Sequence, residues 1–321
     1  MASGSPSIQS DVPFENPFSI EDLQVFDTET LSKMLAHHSF GLTSEQLARS
    51  MHDAPDLLIK NIEQAIPDEQ RAQFIQELHA PLPIAEVESS RRQILNALFW
   101  ELIYWRTPEY YEELTEGERL HPGIFQHLEP DLWQKTVLDA GAGSGRATFE
   151  CARYGAAQVY AVEPSPGLLR LLRRKIASEA DRSHLIPLSG AFEALPLDDN
   201  SVDTAISCSA FTANDEQGGE PGLAELRRVT RSGGKIAIVW PRTQDHDWFK
   251  QHGFHYVSLP VHTEMRVYFR SLQTALHCAR LFYAHNEAVM RYILTIQEPE
   301  IPFSIIGMNP PRDYFWCEVH K

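Results

Sequence analysis

The chain is short of cysteine, of positive charge and of long apolar runs, and each shortage excludes something. Four cysteines, Cys151, Cys208, Cys278 and Cys317, are scattered over 321 residues. None forms a C-x-x-C pair, which speaks against a zinc site and against a disulfide framework. Reduced thiols in a cytoplasmic compartment are the expectation. No apolar run is long enough to span a bilayer, so no membrane partner is expected. Lys and Arg number 28 against 44 Asp and Glu, a formal charge of −16. Such a surface repels phosphate backbones unless its basic residues cluster. The densest cluster, Arg170, Arg173, Arg174 and Lys175, falls on one expected helix and reads as a solvated face. Nucleic acid is therefore not an expected partner, and no metal site is expected either.

The chain divides by pattern. Residues 1–18, rich in Ser and Pro, lack the charged start and apolar stretch of a secretory signal and read as a disordered arm. Residues 19–130 are helical in pattern. Asp27-Thr28-Glu29-Thr30 and Thr43-Ser44-Glu45 are placed to cap helices. Asp56–Ala65 and Asp68–Leu78 read as helices split by Pro67, and Ile84–Tyr104 reads as one long amphipathic helix. The helix-turn-helix spacing over Leu42–Ile62 invites a DNA-binding reading. Only Arg49 and Lys60 are basic there, too few for phosphate contacts, so a helical cap or a homodimer surface is preferred.

Residues 131–321 change character. Short apolar strands are expected at Thr136–Ala140, Gln158–Val162, His184–Leu188, Val202–Ser207 and Lys235–Trp240, with helices between most of them. Alternating strands and helices imply an α/β fold with a parallel sheet covered on both faces. Phe254–Val261 and Tyr314–His320 are strand-like, and Ser271–Leu294 reads as helical, an insertion of about 265–300. Gly233-Gly234 reads as turn chemistry, and Asp203 as a structural residue at a strand end.

Glycine is sparse, 17 in 321, so three within five residues stand out. Gly141, Gly143 and Gly145 lie between an expected strand and an expected helix, where a ligand can approach backbone unobstructed by a Cβ. Free N–H groups of the helix point at that ligand. Glu163, at the end of the second strand, can accept from both ribose hydroxyls of an adenosine. Nicotinamide and flavin proteins share this plan. Three details favour S-adenosylmethionine: the G-x-G-x-G spacing, Asp139 directly before the loop and placed for the methionyl ammonium, and acids at both strand ends, which suit a cation.

Four segments in order carry a resemblance. Val137-Leu-Asp-Ala-Gly-Ala-Gly-Ser-Gly145, Val162-Glu-Pro-Ser165, Gly190-Ala-Phe-Glu-Ala-Leu-Pro-Leu-Asp-Asp-Asn-Ser-Val-Asp203 and Leu226-Arg-Arg-Val-Thr-Arg-Ser-Gly-Gly234 resemble motifs of the class I S-adenosylmethionine-dependent methyltransferases. The nearest subgroup contains ubiquinone- and menaquinone-biosynthesis enzymes and many small-molecule methyltransferases. The resemblance runs from about Tyr110 to about Val261. It implies a Rossmann-like methyltransferase fold, mostly parallel with an antiparallel last strand, behind an N-terminal all-helical region. It implies methyl transfer to a small molecule, with S-adenosylhomocysteine as product. It also implies that Gly141, Gly143 and Gly145 line the methionyl and ribose portion, that Glu163 holds the ribose, and that Pro164 packs on adenine. Ala191, Phe192 and Glu193 would surround the adenine edge, and Ser207 and Cys208 would end a strand beside the sulfonium. The family often has an acid where Ala191 stands, and a His or aromatic pair where Ser209-Ala210-Phe211-Thr212-Ala213 stands.

For the acceptor the pattern is thinner. His246 follows the fifth strand, at the sheet edge where ligands bind, and is the candidate base. Tyr110 and Tyr111 precede the first motif and are candidates to close the cofactor site. Phe211, Arg266, Tyr268 and Tyr283 are candidate pocket residues, and the helical region and insertion are candidates to form a lid. Two rival readings are a cofactor-binding regulatory protein without catalysis and an enzyme of this fold with non-methylating chemistry; protein methylation is a third.

Overall fold

The computed structural model describes residues 16–36, 40–178 and 182–321. Most of the expected arm, residues 1–15, lies outside the described residues. Its last residue, Phe18, is buried against Phe99. A 3-10 turn at Ile20–Val25 leads into α1 (Thr28–Ala36), α2 (Ser44–Ser50), α3 (Asp56–Ala65), α4 (Asp68–Leu78), α5 (Ile84–Ala97), α6 (Phe99–Arg106), α7 (Pro108–Gly117) and α8 (Gly123–Leu132). The caps fall where the polar residues place them. Asp27 accepts from the Thr30 amide at 2.8 Å. Thr43 and Gln46 form a reciprocal capping box. The stretch expected as one helix over Ile84–Tyr104 breaks at Leu98, whose φ of −96° and ψ of 15° leave the helical region. Neither proline nor glycine marks that break. It turns α6 so that Phe99, Leu102 and Ile103 are all buried.

The second half alternates as expected: β1 (Thr136–Ala140), α9 (Arg146–Arg153), β2 (Gln158–Glu163), α10 (Pro166–Ala177), β3 (Leu185–Ser189), β4 (Val202–Cys208), α11 (Gly219–Val229), β5 (Thr230–Val239), α12 (His246–Gln251) and β6 (His255–Ser258). The insertion comprises β7 (Arg266–Tyr268), α13 (Leu272–Phe282), α14 (Glu287–Ile296), β8 (Glu300–Pro302) and α15 (Phe303–Ile306), and β9 (Asp313–Glu318) closes the chain. The sheet order is β3-β2-β1-β4-β5-β9-β6. Only β9 runs antiparallel to its neighbours. This is the Rossmann-like, mostly parallel sheet that the alternation implies.

Three local expectations need correction. β5 begins at Thr230, before the double glycine, because its register on β4 jumps between Val202 and Thr204. Gly233 (φ 77°) therefore forms a bulge inside the strand, donating from its amide to the Val319 carbonyl at 2.8 Å. The helical stretch over Ser271–Leu294 is two helices, because Asn286 caps α14 by accepting from the Ala288 amide. The β7–β8 pair is new; three-residue strands are too short to show a period.

Packing assigns the helices to two bodies. One face of the sheet buries Leu223, Leu226, Phe249 and Phe315 in one cluster. The other buries Val137, Val159, Ile206 and Val239 with Ile124, Phe125, Leu128 and Leu132. α8 thus packs with the sheet, although it lies before the boundary expected at residue 130. α1 to α7 share a separate core with the insertion, in which Leu31, Met51, Leu58, Phe74 and Ile94 join Val267, Phe282, Val289 and Phe303. Trp100 stacks on Phe282 at 5.3 Å across that join. Two segments far apart in sequence therefore make one helical layer, neither completing its core alone.

That layer docks at the start of α10. A Cβ at Gly167 would collide with the carbonyl oxygens of Tyr104 and Trp105, so α10 and α6 cross too closely for any side chain there. Ser165 donates from its hydroxyl to the Tyr104 carbonyl at 2.9 Å. Arg174 pairs with Glu109 at 3.2 Å, and Lys175 with Glu112. Two members of the basic cluster on α10 thus tie α7 in place.

Candidate cofactor and acceptor site

The loop after β1 turns back under its own strand. Gly141 and Ala142 both donate to the Val162 carbonyl, at 2.9 and 3.0 Å, which locks the loop against the end of β2. Gly141 has φ 71° and a Cβ there would meet Ala210 at 2.6 Å and Phe192 at 3.0 Å. Gly143 differs: its φ is 56°, but the nearest atom to a Cβ would be Tyr111 at 3.6 Å. At Gly143 the protein itself leaves room, and a bound molecule is what would need the space.

Glu163 closes this cradle. One carboxylate oxygen accepts from the Gly143 amide and the other from the Ser165 amide, both at 2.8 Å. Each oxygen keeps a lone pair for a further donor, as a ribose with two adjacent hydroxyls would supply. Burial pushes the Glu163 carboxyl up to about 7, against the two backbone N–H groups that favour its charge. Asp139 is buried beneath the loop. One oxygen accepts from the Thr148 hydroxyl at 2.6 Å, tying β1 to α9. The other is buried without a partner, and burial pushes this carboxyl up to about 6. That second Asp139 oxygen is the one left for a further donor.

The remaining cofactor candidates divide. Tyr111 lies over Gly143, with its ring edge-on to Tyr104 at 5.1 Å. Burial raises its hydroxyl pKa, with Arg146 opposing. Tyr110 turns the other way, packing on His277 of α13 at 4.7 Å. Phe192 lies against Gly141, and its ring meets Phe211 at 5.2 Å. Ala191 pairs with Ala194 in an isolated bridge, and Pro164 and Glu193 are exposed. Ser207, fully buried, has a hydroxyl without a partner; Cys208, next to it, ends β4. Burial pushes the Cys208 thiol up to about 11.

The acceptor candidates scatter. Phe211 is buried in the sheet core beside Trp248 and Phe249. His246 starts α12 with its ring against Tyr256 and Phe315, at 4.9 and 5.1 Å, and its Nε2 is buried without a partner. Asp313 accepts from the Tyr256 hydroxyl at 2.7 Å, and burial raises its carboxyl above the ordinary range. His246 thus belongs with the ends of β6 and β9. Arg266 donates to the Tyr292 hydroxyl at 3.1 Å, and Tyr268 is exposed beneath the Arg119 guanidinium. Tyr283 is buried in the layer core with its hydroxyl unpartnered.

Sequence reasoning passed over three residues at the centre of this region. Arg146 opens α9 directly after Gly145, pairs with Glu118 at 2.9 Å and lies 5.5 Å over the Trp240 ring. Trp240 follows β5 and packs edge-on to Phe303 of the insertion at 6.1 Å. Arg146 directly follows the quoted glycine motif; its meeting with Glu118 and Trp240 is not legible there, because three separate elements bring them together.

A family model described as a methyltransferase domain matches residues 137–234, the span from β1 through the bulge of β5. Over that span the chain is similar to methyltransferase domains. An uncharacterised methyltransferase of Mycobacterium tuberculosis is 35% identical over 120 residues, 37% of this chain and 45% of that protein. A tRNA U34 carboxymethyltransferase of Shewanella denitrificans is 34% identical over 117 residues, 36% of this chain and 34% of that protein. Among solved structures, a SAM-dependent methyltransferase from Aquifex aeolicus aligns with a TM-score of 0.36 at 23% identity, covering 41% of this chain and 71% of that one. The chain spans under half the length of the curated relatives it matches. The matched segment holds the glycine loop, Glu163 and the end of β4; the helical layer lies outside it.

Proposed function

We propose that the protein transfers a methyl group from S-adenosylmethionine to a small molecule enclosed between the helical layer and the ends of β4 and β5. The observation that carries this reading is the single core joining α1–α7 to the insertion, with Tyr111 of α7 reaching Gly143 and Trp240, after β5, packing on Phe303 of the insertion. A layer of that kind excludes water from the reacting groups. The acidic surface, with its net charge of −16, favours a small acceptor over a nucleic acid.

When bound, the cofactor supplies an electrophilic methyl group for in-line displacement. The chain's own residues do the rest. Glu163 takes the ribose hydroxyls, the loop backbone at Gly143 admits the methionyl portion, and the second Asp139 oxygen takes its ammonium group. Phe192 flanks the nucleoside, with Ala191, Glu193 and Pro164 at the adenine edge. Tyr111 covers the loop, while Ser207 and Cys208 border the reacting sulfur. His246 is the base for an acceptor that reaches the ends of β6 and β9. Exposed Leu57 and Ile84 on α3 and α5 would serve a homodimer surface.

A second reading, transfer of a group other than methyl, draws on the carboxymethyltransferase among the relatives. Mass spectrometry of turnover mixtures separates the two. Incubation with S-adenosylmethionine and fractionated metabolites should yield S-adenosylhomocysteine and a product heavier than its acceptor by one methylene. Cofactor binding with no S-adenosylhomocysteine from any fraction, or its release only with RNA present, would sink the proposal.

A further inference from the structure

We propose that a cavity beside the glycine loop, bordered by α7 to α10, binds an apolar amino acid as a zwitterion. The cavity holds about 300 Å³, at the small end of the range for sites that take small molecules. Ser144, within the loop, and Arg146, at the start of α9, form part of its wall. Its lining does not include Asp139, Gly141, Gly143 or Glu163. It is therefore a second compartment next to the cradle, and its ligand is argued from its own wall, independently of the cofactor reading.

Charge in that wall is balanced, four arginine or lysine side chains against four glutamates. A ligand with net charge gains little there, whereas one carrying both signs is matched at each end. Two wall residues have polar atoms to spare. Glu112, 6% exposed, pairs with Lys175 through Oε1, while Oε2 is buried without a partner. Arg146 Nη2 donates to Glu118 at 2.9 Å and to the Thr115 carbonyl at 3.3 Å, while Nη1 is buried without a partner. Leaving buried charged groups unsatisfied is costly, so an acceptor and a donor spare in one wall point to a ligand that supplies both. The two are held close, because Thr115, which Arg146 reaches, lies three residues after Glu112 on α7, about 5–6 Å away. An ammonium suits Glu112 and a carboxylate suits Arg146, and an amino acid carries both within a short span. The glutamates are not explained by a metal: among the described residues no group of three His, Cys, Asp or Glu could hold one.

The rest of the wall selects the side chain. Leu120 and Pro122, from the turn between α7 and α8, and Phe125 of α8 give it an apolar part. The turn is tied down, since the His121 amide donates to the Pro311 carbonyl at 2.8 Å and His121 Nδ1 accepts from the Gly123 amide at 3.1 Å. Phe125 is stacked on Tyr154 at 6.1 Å, which fixes its ring. Charged groups for the backbone end of the ligand and an apolar surface for its side chain thus lie in one preformed space, as a small-molecule site requires.

Calorimetry on the full chain, free and with S-adenosylhomocysteine present, tests the assignment. The probes are phenylalanine and leucine, each beside its analogue without the ammonium (3-phenylpropionate, 4-methylpentanoate) and its analogue without the carboxylate (phenethylamine, 3-methylbutylamine). At least one amino acid should bind at least about tenfold more tightly than either of its analogues, as two charge-assisted contacts require. Glu112→Gln, which keeps the shape and loses the charge, should weaken that amino acid by about tenfold. Leu120→Trp, which fills the space and leaves every charge in place, should weaken it by at least about tenfold and guards against misreading a loosened α7. Thermal melts of both variants establish that they are folded. No binding of either amino acid, analogues that bind as well, or unchanged affinity in both variants would overturn the inference. So would competition between the amino acid and S-adenosylhomocysteine, which would make the cavity the methionyl end of the cofactor site. Failure of S-adenosylhomocysteine to bind at all would overturn the cofactor reading alone, because the amino acid is also measured on the free chain.

Discussion

The cradle around the glycine loop and the helical layer are built by opposite means. The cradle is made mostly of backbone: the glycine loop, the Val162 carbonyl and two amides on Glu163. Its parts lie close together along the chain. The layer is made of side chains from two remote segments that share one core. Backbone sites need particular residues at fixed spacing, so they leave a motif. Side-chain pockets need only shape and polarity, so they can drift. This difference lets the family match cover the cradle and stop short of the layer.

Breaking the cradle should have the largest effect on the cofactor and little effect on the fold. Gly143→Val puts a branched side chain where the protein leaves space, on a backbone at φ 56° that such residues rarely adopt. S-adenosylhomocysteine affinity should fall by about a hundredfold or more, near 3 kcal/mol, in a chain still folded by circular dichroism. Glu163→Gln keeps the shape but loses the charge, and should weaken binding by about tenfold.

Breaking the layer should reverse that pattern. Phe282→Ala removes a ring buried between Phe99 and Trp100 and should cost about 3 kcal/mol of stability in denaturant titrations. Nucleoside affinity should change much less than in Gly143→Val. Gly167→Ala attacks the joint between the two bodies, and should raise proteolysis within α1–α7 while the sheet resists.

A further expected effect is on pH dependence. Burial raises Glu163 from its ordinary 4.5 to about 7 and Asp139 from 3.8 to about 6. A raised carboxyl binds its proton more tightly in the folded state. Its stabilising contribution is therefore full below the ordinary value and is lost as pH rises through the folded one. The free protein should lose stability between about pH 4 and pH 7 on this account. Ribose hydroxyls donate best to the charged carboxylate, so cofactor affinity should move the other way. It should drop by up to about tenfold per pH unit below 7, with proton release on binding seen in buffers of different ionisation enthalpy.

Much of this architecture can be read from residue order. β1 to β4, the loop, Glu163 and the caps at Asp27 and Thr43 are set by local patterns and stand near their expected places. The bulge at Gly233, the break at Leu98 and the β7–β8 pair were not visible, because tertiary contacts decide each of them. The acceptor side is the least legible in residue order. Arg266 and Tyr268 sit close to Tyr283 in sequence, yet their contacts are with Tyr292 and Arg119.

A crystal structure with S-adenosylhomocysteine bound tests the central claim most directly. Both ribose hydroxyls should donate to Glu163, the methionyl portion should cross Gly143, and the sulfur should face Trp240 beneath the helical layer. A nucleoside bound elsewhere, or a sulfur turned away from the ends of β4 and β5, would contradict the account.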